Sequence, residues 1–322
     1  IDRYLNSDYV PTYNPVEEYL FDAGEWDGRD RIRELADRVP CRHPHWRNLF
    51  YRWFLSMVAH WLGRDKQHGN ATTPILIGAQ GYRKSTFCRI LLPPELRFGY
   101  TDSLEFSSKR DAERYLGRFF LVNLDEFDKI SINQQAFLKH LLQKPMANLR
   151  KPYGMSIREV RRYASFIATS NQKDLLTDLS GNRRFICVEL LAPIDTNISV
   201  HYRQLYAQAF HAVMNGERYW LDDADEKILK ESNEEFCQVS PLEQLFLSRF
   251  HFTSPTQEDG EWLLTMDIFN HLQAGTKDKF PIGKVTELGR LLRKWNVPNK
   301  RTMKGSLYYL KYVEPCRANG NN

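Results

Sequence analysis

A glycine-bearing loop that carries a lysine and two hydroxyl residues is the first feature of the sequence that could do chemistry. The segment 78–86 reads Gly-Ala-Gln-Gly-Tyr-Arg-Lys-Ser-Thr and directly follows a short apolar stretch at 75–77. In such a loop, backbone N–H groups at the start of a helix bind phosphates, the lysine neutralises the β- and γ-phosphates, and the serine hydroxyl holds Mg²⁺. The segment therefore predicts an ATP site with these nucleotide contacts: Gly78, Gln80, Gly81, Lys84, Ser85 and Thr86.

The loop departs from the usual phosphate-binding pattern at one position. The pattern G-x-x-x-x-G-K-[ST] has glycine where this sequence has Arg83. A side chain there is expected to crowd the phosphates or to restrict the turn, because glycine adopts left-handed backbone conformations more readily than other residues. Taken by itself, the loop also fits an ordinary glycine-rich turn between a strand and a helix.

An apolar stretch that ends in two acids strengthens the interpretation as a phosphate site. Residues 119–124 are Phe-Phe-Leu-Val-Asn-Leu, and Asp125 and Glu126 follow about 40 residues after Lys84. Asp125 is expected to order Mg²⁺, and Glu126 is expected to polarise the attacking water. Two acids at a strand end also fit a solvated edge, but their order along the chain favours the nucleotide.

Two further polar groups complete the predicted catalytic set. Asn171 follows a third apolar stretch, 164–169, and is expected to position the lytic water, because ligands of open parallel sheets bind at the carboxyl ends of the strands. Its plainer interpretation is a turn residue. Either Arg183 or Arg184 is predicted to reach the γ-phosphate of a neighbouring subunit as an arginine finger, unless both form surface salt bridges. A finger predicts a ring, with a hexamer as the expected size.

A basic segment just before the third apolar stretch is predicted to contact DNA. Its turn near residues 152–154 is typical of a β-hairpin. Cations can follow a phosphate backbone and an aromatic ring can stack on a base, a combination used to bind single strands. A charged, solvent-exposed hairpin is the alternative. The predicted contacts are Arg150, Lys151, Tyr153, Arg158, Arg161 and Arg162.

The elements that must position these residues are strands separated by helices. Apolar residues at spacings of three and four over 46–63 predict a helix, and Ser131 with Gln134 predicts a capping box at the start of another. The continuous apolar stretches are typical of parallel strands covered on both faces. We therefore expect an α/β fold with an AAA+ P-loop ATPase core, in which helices flank a parallel sheet.

The length of 322 residues favours more than one domain. We predict an N-terminal helical region over 1–68, an ATPase domain with a helical extension over 69–239, and a winged-helix-like domain over 240–322, which begins where Ser240 caps a helix. Whether this tail binds duplex phosphates or docks a protein stays open. Its cations are Lys284, Arg290, Arg293, Lys294, Lys300, Arg301, Lys304 and Lys311.

The composition indicates a cytoplasmic protein that is not bound to a membrane. The five cysteines are scattered without a Cys-x-x-Cys pair, which fits reduced thiols better than disulfides. No apolar run approaches the ~20 residues that a membrane-spanning helix requires. The net charge of +5 is too small to identify a nucleic-acid partner, so the local basic groups carry that argument.

Together, these motifs resemble the virulence-associated E family, helicase-like ATPases of phages, plasmids and genomic islands that are related to superfamily 3 helicases. The likeness spans roughly residues 14–215, and the tail is similar to a helix-turn-helix extension on Bacteroidetes members. It implies a DNA motor in the replication of a mobile element, with primase or other replication proteins as partners. The motifs are residues 14–16, 26–28, 80–81 with 84–86, 125–127, 150–154, 169–171 and 181–185.

Three functions fit the sequence to different degrees. The leading one is a magnesium-dependent ATPase that acts as a DNA motor. The second is a nucleotide-gated or ATPase-silent DNA-binding adaptor, such as a replication initiator or helicase loader, which Arg83 and the tail motivate. The third is a small-molecule kinase, a weaker hypothesis because such a kinase needs neither an intersubunit arginine nor a basic hairpin.

Overall fold

The computed structural model describes residues 13–64, 70–104, 109–150, 157–176, 179–274 and 284–313. The chain divides between residues 238 and 239 into two compact units. No helix among the described residues is long and apolar enough to cross a membrane.

The first unit is built around a parallel sheet of five strands. Side by side, the strands are β2 (Tyr100–Thr101), β3 (Leu121–Leu124), β6 (Ser165–Ser170), β1 (Thr73–Ile77) and β7 (Phe185–Glu189). Ile75 of β1 lies between Ala168 of β6 and Cys187 of β7 in the register. The apolar stretches predicted as strands are therefore neighbours in one sheet.

Helices cover both faces of this sheet. Successive strand residues point to opposite faces. Leu76 therefore packs in one core with the helices within residues 15–90 and 202–232, whereas Ile75 and Ile77 pack in another with the helices within residues 109–142. The expected mixed α/β fold, with helices flanking a parallel sheet, is confirmed. The helices of this unit are α1 (Pro15–Phe21), α2 (Arg31–Ala36), α3 (Trp46–Trp61), α4 (Lys84–Ile90), α5 (Lys109–Arg118), α6 (Ile132–Leu142), α7 (Tyr202–Met214) and α8 (Asp223–Ser232).

The aromatic helix α3 supports the helix that follows the glycine-bearing loop. Phe50 of α3 and Phe87 of α4 are both fully buried, and their ring centroids lie 6.2 Å apart. Full burial of such a side chain contributes roughly 1.5–3 kcal/mol. The predicted cap of α6 is also confirmed, because Ser131 and Gln134 form both bonds of a capping box. Local signals in the sequence thus identify these two helices correctly.

A two-stranded antiparallel sheet carries the basic segment. It consists of β4 (Met146–Arg150) and β5 (Ile157–Arg161), with Ala147 opposite Val160. The two strands confirm the predicted hairpin. Its turn, residues 151–156, lies outside the described residues.

The second unit combines three helices with an antiparallel sheet. The strand at 305–312 pairs with three other strands of this unit, and its pairs with the strands at 250–252 and 261–264 were not predicted from the sequence. Phe246, Leu288 and Leu310 are fully buried in a core of this unit. Its elements are α9 (Pro241–Arg249), β8 (Phe250–Phe252), β9 (Glu261–Leu264), α10 (Thr265–Ala274), α11 (Val285–Lys294), β10 (Asn299–Thr302) and β11 (Gly305–Tyr312).

Helix α9 begins at the predicted cap. The Ser240 hydroxyl accepts a bond from the Glu243 N–H at 3.1 Å, and Pro241 is the first helical residue. The Glu243 carboxylate accepts from the Lys294 ammonium at 3.5 Å, which connects α9 to α11.

Candidate functional site

The loop of residues 78–83 joins β1 to α4. Gly81 has φ +84°, a conformation that side chains disfavour. At Gly78, a Cβ atom would lie 3.0 Å from the Tyr82 ring and 3.2 Å from the Leu190 Cβ, so a side chain would displace its neighbours. These two glycines let the chain turn tightly between the strand and the helix.

Lys84, the first residue of α4, is 7% exposed and points back into the loop. Its Nζ donates to the carbonyl oxygens of Gly78 at 2.5 Å and Ala79 at 2.9 Å, and to Oδ1 of Asn171 at 3.0 Å. Burial lowers the pKa of the ammonium, whereas the nearby Asp125 carboxylate acts in the opposite direction. The ammonium is thus held between the loop and the end of β6.

Asp125 directly follows β3, and its carboxylate accepts hydrogen bonds from two hydroxyl groups. Its Oδ1 accepts from the Ser85 hydroxyl at 3.0 Å and from the Thr169 hydroxyl. Carboxylate and hydroxyl oxygens are the hard ligands that Mg²⁺ prefers. The structure therefore brings together the two residues that the sequence predicted as magnesium ligands.

Glu126 has a left-handed backbone with φ +53° and ψ +51°. This conformation costs a residue other than glycine roughly 1–2 kcal/mol, and such strain clusters at functional sites. Its side chain is 50% exposed and accepts from the Lys129 ammonium at 2.7 Å, which raises the pKa of Lys129. The Glu126 carboxylate is thus accessible at the end of β3.

A third acid, Asp128, was missed as a functional residue by sequence reasoning. Its Oδ1 accepts from the Ser170 hydroxyl at 2.8 Å and from the backbone N–H of Asn171 at 3.3 Å. Asp128 therefore fixes the segment that presents the Asn171 amide to Lys84. The available signal was its place two residues after Glu126.

These groups line a cleft of about 510 Å³, a typical volume for a ligand pocket. Three neighbouring strands end there, since β1 leads into Gly78, β3 into Asp125 and β6 into Asn171. Gly78, a predicted nucleotide contact, is not among the lining residues, and its carbonyl oxygen accepts a hydrogen bond from Lys84. The lining residues are Gln80, Gly81, Tyr82, Arg83, Lys84, Ser85, Thr86, Asp125, Glu126, Thr169, Ser170 and Asn171.

Arg83 lines the cleft with a left-handed backbone, φ +58° and ψ +27°. The turn therefore forms without the usual glycine, at a conformational cost of roughly 1–2 kcal/mol. The side chain is exposed, and no hydrogen bond or ion pair of its guanidinium is recorded among the residues that the structure describes. A guanidinium thus lies at the cleft where most phosphate loops have no side chain.

The arginines predicted as finger candidates lie away from this cleft within one subunit. They end a short 3₁₀ helix, Leu179–Arg184, just before β7. The Arg183 guanidinium bonds the Glu226 carboxylate of α8 at 2.8 Å and is 51% exposed, whereas Arg184 is half-buried. Neither side chain lines the cleft of its own chain.

Two of the predicted DNA contacts fix the base of the hairpin instead. Arg162 is fully buried and donates to the carbonyl oxygens of Ala164, Leu142, Lys144 and Asn70. It therefore has no surface on which a phosphate could bind, and the prediction for this residue is wrong.

Arg161 connects the hairpin to the helices beside it. Its guanidinium bonds the Glu17 carboxylate at 3.0 Å and the carbonyl oxygens of His60 and Trp61 at the end of α3. Arg150 and Arg158 lie on β4 and β5, and Lys151 and Tyr153 lie outside the described residues. The contacts of Arg161 and Arg162 thus serve the fold, and the tip residues stay predictions.

Two family models match adjacent parts of the chain, which together span residues 20–310. The virulence-associated protein E-like domain matches residues 20–238. A domain of unknown function from B. theta, DUF3874, matches residues 239–310. No curated protein matches the chain.

The chain is also similar to solved apo structures of the NrS-1 C-terminal region. One is 12% identical with a TM-score of 0.42, and the match covers 94% of this chain and 76% of that one. Two structures of its A form are each 13% identical with the same coverage, at TM-scores of 0.43 and 0.41.

Proposed function

The chain belongs to the virulence-associated protein E-like domain family, and from the geometry of its cleft we propose that it is a magnesium-dependent ATPase that works as a DNA motor. The observation that carries the proposal is the convergence of Lys84, Ser85, Asp125, Glu126 and Asn171 at the carboxyl end of three neighbouring strands. Open parallel sheets bind their ligands at this edge. The motor would serve the replication of a phage, plasmid or genomic island, beside a primase or other replication proteins.

The residues at the cleft suit a nucleoside triphosphate with Mg²⁺. The Lys84 ammonium and the N–H groups at the start of α4 would bind the phosphate oxygens. Ser85 and Asp125 would hold the metal, which neutralises charge on the phosphates when it is bound. No group of three or more His, Cys, Asp or Glu side chains in the described residues could hold a metal by itself. This fits Mg²⁺, which one or two carboxylates commonly bind together with substrate phosphates.

Hydrolysis requires a water molecule in line with the γ-phosphorus. In our proposal, the accessible Glu126 carboxylate polarises this water and accepts its proton, and the Asn171 amide orients it. Asp128 keeps Asn171 in place through its two bonds to this segment. The bond from the γ-phosphorus to the leaving oxygen of ADP then breaks as the bond to the water oxygen forms.

We propose that ATP lies between subunits of a ring, with a hexamer as the expected assembly. Arg183 and Arg184 do not reach the cleft of their own chain, which suits a finger that acts on a neighbour. Arg183 would have to leave Glu226 to do so. An exposed ion pair contributes only about 0–1 kcal/mol, so breaking the Arg183–Glu226 pair costs little free energy.

In this proposal, the helical region 1–68 is followed in the sequence by an AAA+ P-loop ATPase domain over residues 69–239. Residues 240–322 form a winged-helix domain. The parallel order of β3, β6 and β1 around the loop supports the first assignment. Three helices followed by the β10–β11 hairpin support the second.

The basic hairpin is the proposed site for single-stranded DNA. Its strand β5 leads after three residues into the start of β6, and the other end of β6 lies at the cleft. In this proposal, a shift at the ATP site moves the hairpin by displacing β6 along its length. The proposed contacts are Arg150, Lys151, Tyr153 and Arg158, without the buried Arg162.

DNA-stimulated ATP turnover tests this function. Lys84→Ala and Glu126→Gln should each abolish it, because the first removes the phosphate-binding cation and the second the water-activating carboxylate. Matched controls are Lys227→Ala and Glu231→Gln, two exposed partners on α8 that lie 4.0 Å apart. Turnover that survives both cleft substitutions would show that the site is assigned wrongly.

Arg83 supports a second candidate function, a nucleotide-gated or ATPase-silent DNA-binding adaptor. An exposed guanidinium lines the cleft where glycine is usual, and it could slow hydrolysis while nucleotide still binds. DNA binding without detectable turnover, unchanged in Arg83→Gly, would favour the adaptor. Turnover that appears only in Arg83→Gly would show that this residue silences a working site.

A further inference from the structure

The second unit has a strongly uneven distribution of charge. Residues 284–313 contain eight lysines and arginines and one acid, Glu287. Residues 240–267 instead contain five acids and one basic residue, Arg249. The cations therefore concentrate on α11 and on the β10–β11 hairpin.

Helix α11 separates an apolar side from a cationic one. Leu288 and Leu292 are fully buried in the core of the unit, whereas Arg290 and Arg293 are exposed. Arg290 and Arg293 are three positions apart, so they are neighbours on one helix face. This face therefore points away from the core of the unit.

The hairpin places another arginine on the side of the sheet that faces the helices. Arg301 is opposite Ser306 in the register, and Ser306 is two residues from the buried Tyr308. Paired residues and residues two apart share one side of a sheet. Arg301 therefore lies on the side where Tyr308 packs, and the exposed Met303 and Lys304 form the tip.

The helix and the hairpin meet at the start of α10. The Thr265 hydroxyl donates to the carbonyl oxygen of Ser306 at 3.2 Å. A Cβ atom on Gly289 of α11 would lie 3.9 Å from the Thr265 methyl carbon. Gly289, the neighbour of Arg290, and Ser306, the register partner of Arg301, thus lie on two sides of Thr265. We call the surface of the exposed cations Arg290 and Arg293 of the helix and Arg301 and Lys304 of the hairpin the basic face.

Two cations of this unit that lie outside the basic face have carboxylate partners. Lys294 is 3.5 Å from the Glu243 carboxylate, and Lys311 is 3.1 Å from the Asp259 carboxylate. Within the described part of the chain, no ion pair is recorded for the four cations of the basic face. Their charge is therefore available to a partner.

We propose that the basic face binds duplex nucleic acid, with α11 in the major groove and the β10–β11 hairpin on the flanking phosphates. An exposed α-helix fits the major groove, which is about 12 Å wide. Cations on two separate elements match an extended polyanion better than a single acidic side chain. A membrane surface would need an apolar stripe beside the cations, but Met303 is the one large exposed apolar residue recorded for residues 284–313. This site is separate from the ATP cleft and does not depend on hydrolysis.

The test measures binding of a fluorescent mixed-sequence duplex DNA to the full chain without nucleotide, between about 50 and 200 mM salt. Four phosphate contacts predict a slope of log K against log salt of about −3.5 to −4 from this face. The variant Arg290→Gln/Arg301→Gln/Lys304→Gln should reduce the slope by about 2.5 to 3 and weaken binding on the order of 100-fold near 0.1 M salt. Lys311→Gln is the matched control, because its charge already has a carboxylate partner.

Three results would overturn the proposal. The first is a wild-type chain that does not bind the duplex, and the second is a triple variant that binds it as well as the wild type does. The third is a loss of binding to phosphatidylserine vesicles or polyglutamate in the triple variant while duplex binding is unchanged, which would assign the face to another partner. All three altered residues are exposed, so equal urea midpoints for wild type and variant will show that folding is intact. ATP turnover, lost in Lys84→Ala, reports separately on the proposed motor.

Discussion

Replacement of Arg83 by glycine tests whether the phosphate loop stores backbone strain. Its left-handed backbone, φ +58° and ψ +27°, costs an L-residue roughly 1–2 kcal/mol. Glycine removes this cost but loses about 0.5–1 kcal/mol more conformational entropy on folding. No bond of the Arg83 guanidinium is recorded among the described residues, so no such contact opposes the change. Arg83→Gly should therefore raise the free energy of unfolding by about 0.5–1 kcal/mol.

Urea unfolding followed by tryptophan fluorescence measures this change. The buried Trp53 and Trp61 of α3 report on the first unit. With a denaturant slope of about 2–3 kcal/mol per M, the midpoint should rise by about 0.2–0.4 M. Glu258→Gly is the matched control, because Glu258 has a similar backbone, φ +52° and ψ +20°, in the second unit. It should gain similar stability in its own unit without a change in ATP turnover.

One outcome would refute the strain argument. If Arg83→Gly lowers stability while Glu258→Gly raises it, the Arg83 side chain stabilises the fold. The stabilisation lost with this side chain then exceeds the backbone strain that glycine removes.

Two further predictions concern residues whose roles only the structure reveals. Asp128→Ala should lower the turnover number about tenfold with little change in KM for ATP, because Asn171 loses the hydrogen bond that positions it. Asp128→Asn should recover most of the activity. A change confined to KM would contradict a positioning role for Asp128. Arg162→Met should destabilise the first unit by about 3 kcal/mol or more, because it leaves four carbonyl oxygens without their donor. Normal urea unfolding with weakened DNA binding would contradict this structural role.

Local signals in the sequence predict the sheet and much of the cleft. The apolar stretches that end near Gly78, Asp125 and Asn171 identify three strands, and parallel strands present their carboxyl ends at one edge. The candidate phosphate-binding loop and the paired acids can therefore be identified from the sequence without knowledge of the fold. The strand order was not, because it depends on contacts between residues far apart in the chain.

The roles of two charged residues depend on such distant contacts. Arg162 looks like part of a basic hairpin in the sequence, but its four acceptors come from residues 70, 142, 144 and 164. Only the folded chain brings these carbonyl groups together. Asp128 is likewise one acid among several until β3 and β6 become neighbours and place Asn171 beside it. The burial of Arg162 and the contact between Asp128 and Asn171 arise only in the tertiary structure.

Binding of an ATP analogue in the presence and absence of Mg²⁺ tests the central claim most directly. Titration calorimetry should show magnesium-dependent binding to the wild-type chain. Lys84→Ala should weaken it about 10- to 100-fold, because a hydrogen bond to a charged group is worth about 1.5–3 kcal/mol. Lys227→Ala should bind as the wild type does. Equal binding by Lys84→Ala, or no binding by the wild type at any magnesium concentration, would contradict a triphosphate site at this edge of the sheet.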